Sequence, residues 1–186
     1  ERIKSDTIGR YAIIDAWNPS DFSERALPPC HLLYQFNCRA LTYEEKIDWV
    51  LKNTDVELEN LYIYEETLKE STPNYYLDLQ MYQRSCDTFL GVPFNIASAS
   101  LLLHLIAKVV NMVPSKFIWV GGDTHIYENH LEQDNLQLNR DCKSLPTISF
   151  PNVKSIEEIC NLSVNDFNIT NYQYHYAIKA ELSTGL

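Results

Sequence analysis

The chain has no CxxC pair, no HExxH, no internal repeat, no low-complexity tract and a shortage of positive charge. Its five cysteines (Cys30, Cys38, Cys86, Cys142 and Cys160) are scattered. That argues against a disulfide frame or a zinc site and for a reducing compartment, the cytoplasm. Lys and Arg number 15 against 25 Asp and Glu, a net charge of −10, which opposes general binding to nucleic acid. It leaves room for a small phosphorylated ligand held by a few local arginines. No run approaches the roughly 18 apolar residues of a membrane span, so no membrane partner is expected. The opening "ERIKSDTIGR" has no apolar stretch of the signal-peptide kind, and with no initiator Met the chain is expected to begin inside a longer protein. What is present is ordinary globular material: 186 residues, 45% apolar and 22% charged, enough for one domain with a real core.

Periodicity sketches an α+β domain. "YAIIDAWN" (11–18) and "HLLYQFNCRA" (31–40) read as strands from their apolar and aromatic content. "LTYEEKIDWVLKN" reads as a helix opened by a Thr42–Glu45 capping box, with Tyr43, Ile47, Val50 and Leu51 on one face. The acidic, turn-rich stretch as far as "KESTPN" reads as a surface excursion. "YYLDLQMYQRS" alternates at period two and should return to the sheet. "PFNIASASLLLHLIAKVVNM" predicts a long helix with Pro93 near its start, and its nearly all-round apolar character predicts burial. "SKFIWVGGDTHIY" reads as a strand leading into a Gly-Gly turn. "ENHLEQDNLQLNR" reads as a polar-faced helix, and the tail from Leu145 as short strands and loops. The sum is a sheet packed on a long buried central helix.

Four fragments carry chemistry. In "ALPPCHLLYQF", Cys30 stands between a Pro-Pro pair and His31, a setting that suits a nucleophile better than a structural cysteine. In "QRSCD", Arg84 and Ser85 offer a cationic fork and a hydroxyl for a phosphate; the competing reading is a surface Arg paired with Asp87. In "FLGVPFNIA", Gly91 permits close backbone approach, and Asn95 either reads a base edge with its amide or caps the helix. "GGDTHIYENH" offers Asp123, His125, Glu128 and His130 to a metal, yet at no metal-binding spacing, so no metal is expected. His125 and Tyr127, two apart in extended backbone, face one side as donors for a sugar hydroxyl. Cys86 reads as packing, His104 as a satisfied core histidine, Trp49 as local packing, and Glu128 and His130 as a helix face that is either solvated or backs the residues of the site.

Taken together, "LPPCH", "YQRSCDTFLGVPFNIAS" and "GGDTHIYENH", in this order, closely resemble the thymidylate synthase family over about 10–179, interrupted by 39–76. The resemblance implies a single partial synthase-like domain over 1–186, lacking the family's N-terminal part and carrying an atypical insertion at 39–76. It makes Cys30 the nucleophile that adds to C6 of dUMP, so that C5 attacks the methylene of 5,10-methylenetetrahydrofolate. His31 and Gln35 would support the nucleophile, and Asn95 would read the pyrimidine. Gln83, Arg84 and Ser85 would hold the nucleotide and its phosphate, with His125 and Tyr127 on the ribose. Asp87, Leu90, Gly91 and Phe94 would face the folate. Arg10 would reach the phosphate of a partner subunit, which implies a homodimer. An amide at 95 can both donate and accept, so dUMP is expected over dCMP.

The chain also departs from the family. The usual second arginine beside Arg10 is Tyr11, and Ala99 stands for a usual tyrosine. The late "GYxPHPxIK" signature reads "NYQYHYAIK" (171–179), and the tail ends "AELSTGL". A tail that closes differently would let water capture the methylene. Asn95 with this tail therefore points to a deoxyuridylate hydroxymethylase like those of bacterial viruses. The alternatives are a synthase making dTMP and dihydrofolate, and a non-catalytic nucleotide-binding dimer partner.

Overall fold

The computed structural model describes residues 1–57 and 72–182. Along the chain lie α1 (Arg2–Ser5), β1 (Ile13–Asp15), β2 (His31–Ala40), α2 (Tyr43–Asn53), β3 (Tyr75–Asp87), α3 (Val92–Val109) and β4 (Val113–His125). They are followed by α4 (Leu131–Leu138), β5 (Thr147–Ser149), α5 (Ile156–Cys160) and β6 (Asn168–Thr170). Strands β1 to β4 form one sheet in sequence order, and β5 pairs with β6 in a second. The pairs β1–β2 and β2–β3 are antiparallel, whereas β3–β4 is parallel. A parallel pair needs a crossover longer than a hairpin, and α3 supplies it.

The alternation in "YYLDLQMYQRS" does what period two demands. Leu77, Leu79 and Met81 are fully buried beneath α3, while Tyr82 faces away. The register builds the core in rows: Phe36–Leu79–Phe117, then Tyr34–Met81–Trp119, then His31–Gln83–Gly121. Ala99, Leu103 and Ala107 of α3 close the cluster from above. Small Ala side chains there let the helix sit close to the strands. The helix ends where Asn111 takes a left-handed φ of 53°, a conformation Asn tolerates better than most residues.

Several expectations need correction. Helix α3 buries one face rather than its whole circumference: Phe94 is 75% exposed and Ile96 37%. His104 lies on that outer side and is exposed, so it is no core histidine; partial desolvation by its apolar neighbours still holds its pKa below the usual histidine value. By length and hydropathy, α3 does qualify as a candidate membrane span, contrary to the reading of the sequence. Its place as the crossover packed on β3 and β4 accounts for that apolarity instead. The Gly-Gly pair makes no turn, because β4 runs straight through Gly121 and Gly122. Strand β1 is only three residues long. Helix α2 starts at the expected capping box, where Thr42 Oγ1 accepts from the Glu45 N–H and Glu45 returns the bond. Arg39 forks onto the Glu45 carboxylate at 2.9 and 3.0 Å, and this bond above all holds the Glu45 pKa at about 2. Tyr43 of the expected apolar face is exposed. Most of the acidic excursion after α2 lies outside the described residues.

Leu79→Ala removes a side chain that touches both the sheet core and α3. It should cost about 3 kcal/mol, read as a fall in unfolding free energy by urea titration. A loss below about 1 kcal/mol would mean that the core does not centre on this row.

Candidate functional site

Cys30 immediately precedes β2 and is exposed. Its position is set by β3, for the Arg84 N–H donates to the Cys30 carbonyl at 2.8 Å. The Arg84 side chain then folds back over the Pro-Pro pair. Its Nε donates to the Pro29 carbonyl and its Nη2 to the Pro28 carbonyl, both at 2.9 Å. The same Nη2 lies 3.9 Å from Cys30 Sγ. The prolines therefore provide stiff carbonyl acceptors, and one guanidinium ties the cysteine's loop to the sheet while setting a fixed positive charge beside the sulfur. Among the described residues Nη1 has no hydrogen-bond partner, so one edge of the fork remains for an anion. The Trp17 ring lies 5.9 Å from the guanidinium carbon and was not foreseen from the sequence.

One row deeper sits Gln83, only 2% exposed. Its Nε2 donates to the Ser85 carbonyl at 3.0 Å and to Asn95 Oδ1 at 2.9 Å. Its Oε1 accepts from the Trp119 indole at 3.1 Å. Asn95, on the first turn of α3, is thus held from below and is not the helix cap; Gly91 takes the N-cap position. Because Gln83 pairs with His31, this amide network adjoins the residue after Cys30. His31 Nε2 is buried without a partner among the described residues. Gln35, half-buried on β2, pairs with Gln80 rather than with this row.

The far ends of β3 and β4 bring up a second group. Asp87 pairs with His125, and Asp87 Oδ1 accepts from the Phe89 and Leu90 N–H groups at 3.1 Å each. That bond shapes the tight turn into α3, where a Cβ on Gly91 would come within 3.0 Å of the Asp87 carbonyl. The His125 and Tyr127 rings stand edge to face with centroids 5.0 Å apart, on one side as expected. His125 Nδ1 donates to Asp123 at 3.3 Å. Ser85 pairs with Asp123 between the two groups.

Other expectations fare differently. Arg10 is exposed before β1 and makes no hydrogen bond or ion pair with any described residue. Phe94 projects into solvent. His130 is no solvated residue: it is fully buried, packed against Phe89 and Tyr127, and its Nε2–H donates to the Glu181 carbonyl at 2.7 Å. The reading missed this because a helix wheel places His130 on a polar face, whereas the tail folds back to cover it. Cys86 is fully buried and its Sγ contacts the Gln83 carbonyl, as expected of packing. A hollow of about 480 Å³ lies elsewhere, between α1, β1 and the end of α3, bordered by Ile3, Tyr11, Ile13 and Ile106.

A family model described as thymidylate synthase matches residues 1–184, and the chain belongs to that family. It is 38% identical over 182 residues to a thymidylate synthase of Mycoplasma pneumoniae, covering 98% of this chain and 50% of the relative. The crystal structure of thymidylate synthase from T4 phage superposes with a TM-score of 0.72 at 36% identity, over 97% of this chain and 55% of that one. The chain therefore spans about half the length of these relatives.

Replacing Arg84 by Gln removes both the loop clamp and the charge beside the sulfur. Alkylation of Cys30 by iodoacetamide should change in rate, because the segment that presents the sulfur loses its two anchors on the Pro28 and Pro29 carbonyls. Mass spectrometry of the Cys30 peptide reads the rate. An unchanged rate would separate Arg84 from the cysteine's chemistry.

Proposed function

We propose that the protein carrying this chain transfers a one-carbon unit from 5,10-methylenetetrahydrofolate to C5 of dUMP, with Cys30 as the nucleophile, and yields dTMP. The observation that carries this reading is the exposed Cys30 sulfur beside the Arg84 guanidinium, in a chain of the thymidylate synthase family. The Cys30 thiolate adds to C6 of the uracil ring, which makes C5 the attacking carbon and splits one difficult substitution into easier steps. As C5 takes the one-carbon unit, the bond from that carbon to the folate nitrogen would break and the C5 proton would leave; hydride delivered to the same carbon would then let the sulfur depart from C6 and restore the ring. The free edge of Arg84, with the Ser85 hydroxyl, suits the nucleotide phosphate, and Arg10 of a second copy would add to it. Asn95 faces the base edge, His125 and Tyr127 suit the ribose hydroxyl, and His31 and Gln35 support the nucleophile's strand.

The folate supplies the one-carbon unit and, in the synthase reaction, the hydride. The residues present fit it in part. Asp87 Oδ2 has no partner among the described residues and can accept from a pterin N–H, and the exposed Phe94 ring offers a stacking surface with Leu90 and Gly91 beside it. A homodimer is supported by the sheet face opposite α3. There Ile13, Tyr82, Ile118 and Val120 are all more than a third exposed, and Tyr82 and Val120 are neighbours in register. An apolar sheet face of this kind calls for a cover.

The hydroxymethylase reading rested on the tail, of which residues 183–186 lie outside the described ones. That both named relatives are thymidylate synthases supports dTMP formation over water capture. The test is the product. Incubation with dUMP and methylenetetrahydrofolate should form dTMP and dihydrofolate in equal amounts; 5-hydroxymethyl-dUMP with tetrahydrofolate would select the second branch. 5-Fluoro-dUMP with the folate should leave a covalent adduct on Cys30, absent in Cys30→Ser. No adduct on the wild type would favour a non-catalytic nucleotide-binding partner.

A further inference from the structure

Gln83 is an amide buried among groups of fixed polarity. An indole N–H only donates and a backbone carbonyl only accepts. The Trp119 indole points at Gln83 Oε1 from one side, and the Ser85 carbonyl takes one Nε2 hydrogen from the other. Rotating the amide by half a turn would set NH2 against the indole N–H and oxygen against the Ser85 carbonyl. Both bonds would be lost at a site only 2% exposed, where water cannot replace them. Gln83 can therefore show Asn95 only an N–H. Asn95 must answer with Oδ1, as it does at 2.9 Å, which leaves its NH2 without a partner among the described residues.

The indole reaches Gln83 because β4 makes room for it. Trp119 lies in register with Met81, one row short of Gln83, which faces Gly121. The ring extends along the strand over Gly121, where a Cβ would stand 2.5 Å from the indole Cη2. Glycine at 121 thus opens the gap through which the Trp119 N–H meets Gln83.

We propose that Trp119 is a positioning residue for base specificity: through Gln83 it fixes the polarity of Asn95, so that Asn95 presents a donor to the base and favours dUMP over dCMP. The inference rests on the reading of Asn95 as the pyrimidine-facing residue. The Asn95 NH2 donates to the O4 carbonyl of uracil, whereas cytosine carries an amino group at that position and would set donor against donor. Asn95 Oδ1 keeps a second lone pair for the uracil N3–H. Uracil selectivity then starts in a tryptophan that never touches the nucleotide.

The experiment compares equilibrium binding of dUMP and dCMP, and kcat/KM for each, in the wild type and in Trp119→Phe, which keeps an aromatic ring but loses the N–H. Loss of one hydrogen bond should reduce the dUMP:dCMP preference about tenfold, mostly by weakening dUMP. Circular dichroism checks that the variant folds. Gln83→Glu is the second variant: a carboxylate cannot donate, so Asn95 must turn its NH2 inward and its oxygen outward, and the preference should move toward dCMP. A preference unchanged in both variants, with the wild type selecting dUMP, would overturn the relay while leaving the proposed function intact. A wild type that binds neither nucleotide would overturn both.

Discussion

The parallel contact between β3 and β4 is the constraint on which the rest of the molecule depends. It is the one pairing in the main sheet that a hairpin cannot make, so an 18-residue helix has to cross from one strand to the other. That crossing sets the start of α3, with Gly91 and Asn95, directly over the end of β3, with Gln83 and Asp87. It also requires unusually close backbones. A Cβ on Gly122 would stand 2.8 Å from the Arg84 carbonyl, so the strands approach only because glycine occupies that position. The "GGD" in the sequence is an instruction for strand packing rather than for a turn.

Two polar systems grow from β3, one on each face of the sheet. Arg84 points away from α3 and clamps the Pro28–Cys30 segment, which gives Cys30 a fixed place while its sulfur stays open to solvent. Gln83, its neighbour in sequence, points toward α3 and holds Asn95. Alternation along a strand therefore divides "QR" into two tasks: one side chain secures the Cys30 loop, and the other holds the Asn95 amide. Asp87 repeats the pattern at the strand's end, using one carboxylate oxygen to build the turn and leaving the other open.

The chain spans about half the length of its two named relatives, and several of its apolar side chains stand open. The outer side of α3, with Phe94 and Ile96, and the apolar sheet face around Tyr82, Ile118 and Val120 are more open than an isolated core would favour. His130, by contrast, is buried because the tail at Glu181 folds over it.

Sequence alone settled what depends on local pattern. The β3 alternation, the Thr42–Glu45 capping box, the helix opened by Pro93 and the shared side of His125 and Tyr127 were all legible, since each follows from residue type and spacing along one segment. The family, too, was legible, because its motifs are contiguous. What tertiary structure decided depends on partners distant in the chain. The straight run through Gly121 and Gly122 follows from the nearness of Arg84 and Trp119, and the burial of His130 from a tail some fifty residues later. The one-sided exposure of α3 depends on how far the sheet extends beneath it. The polarity of Asn95 depends on a tryptophan from another strand, because an amide has no preferred orientation until its neighbours supply one.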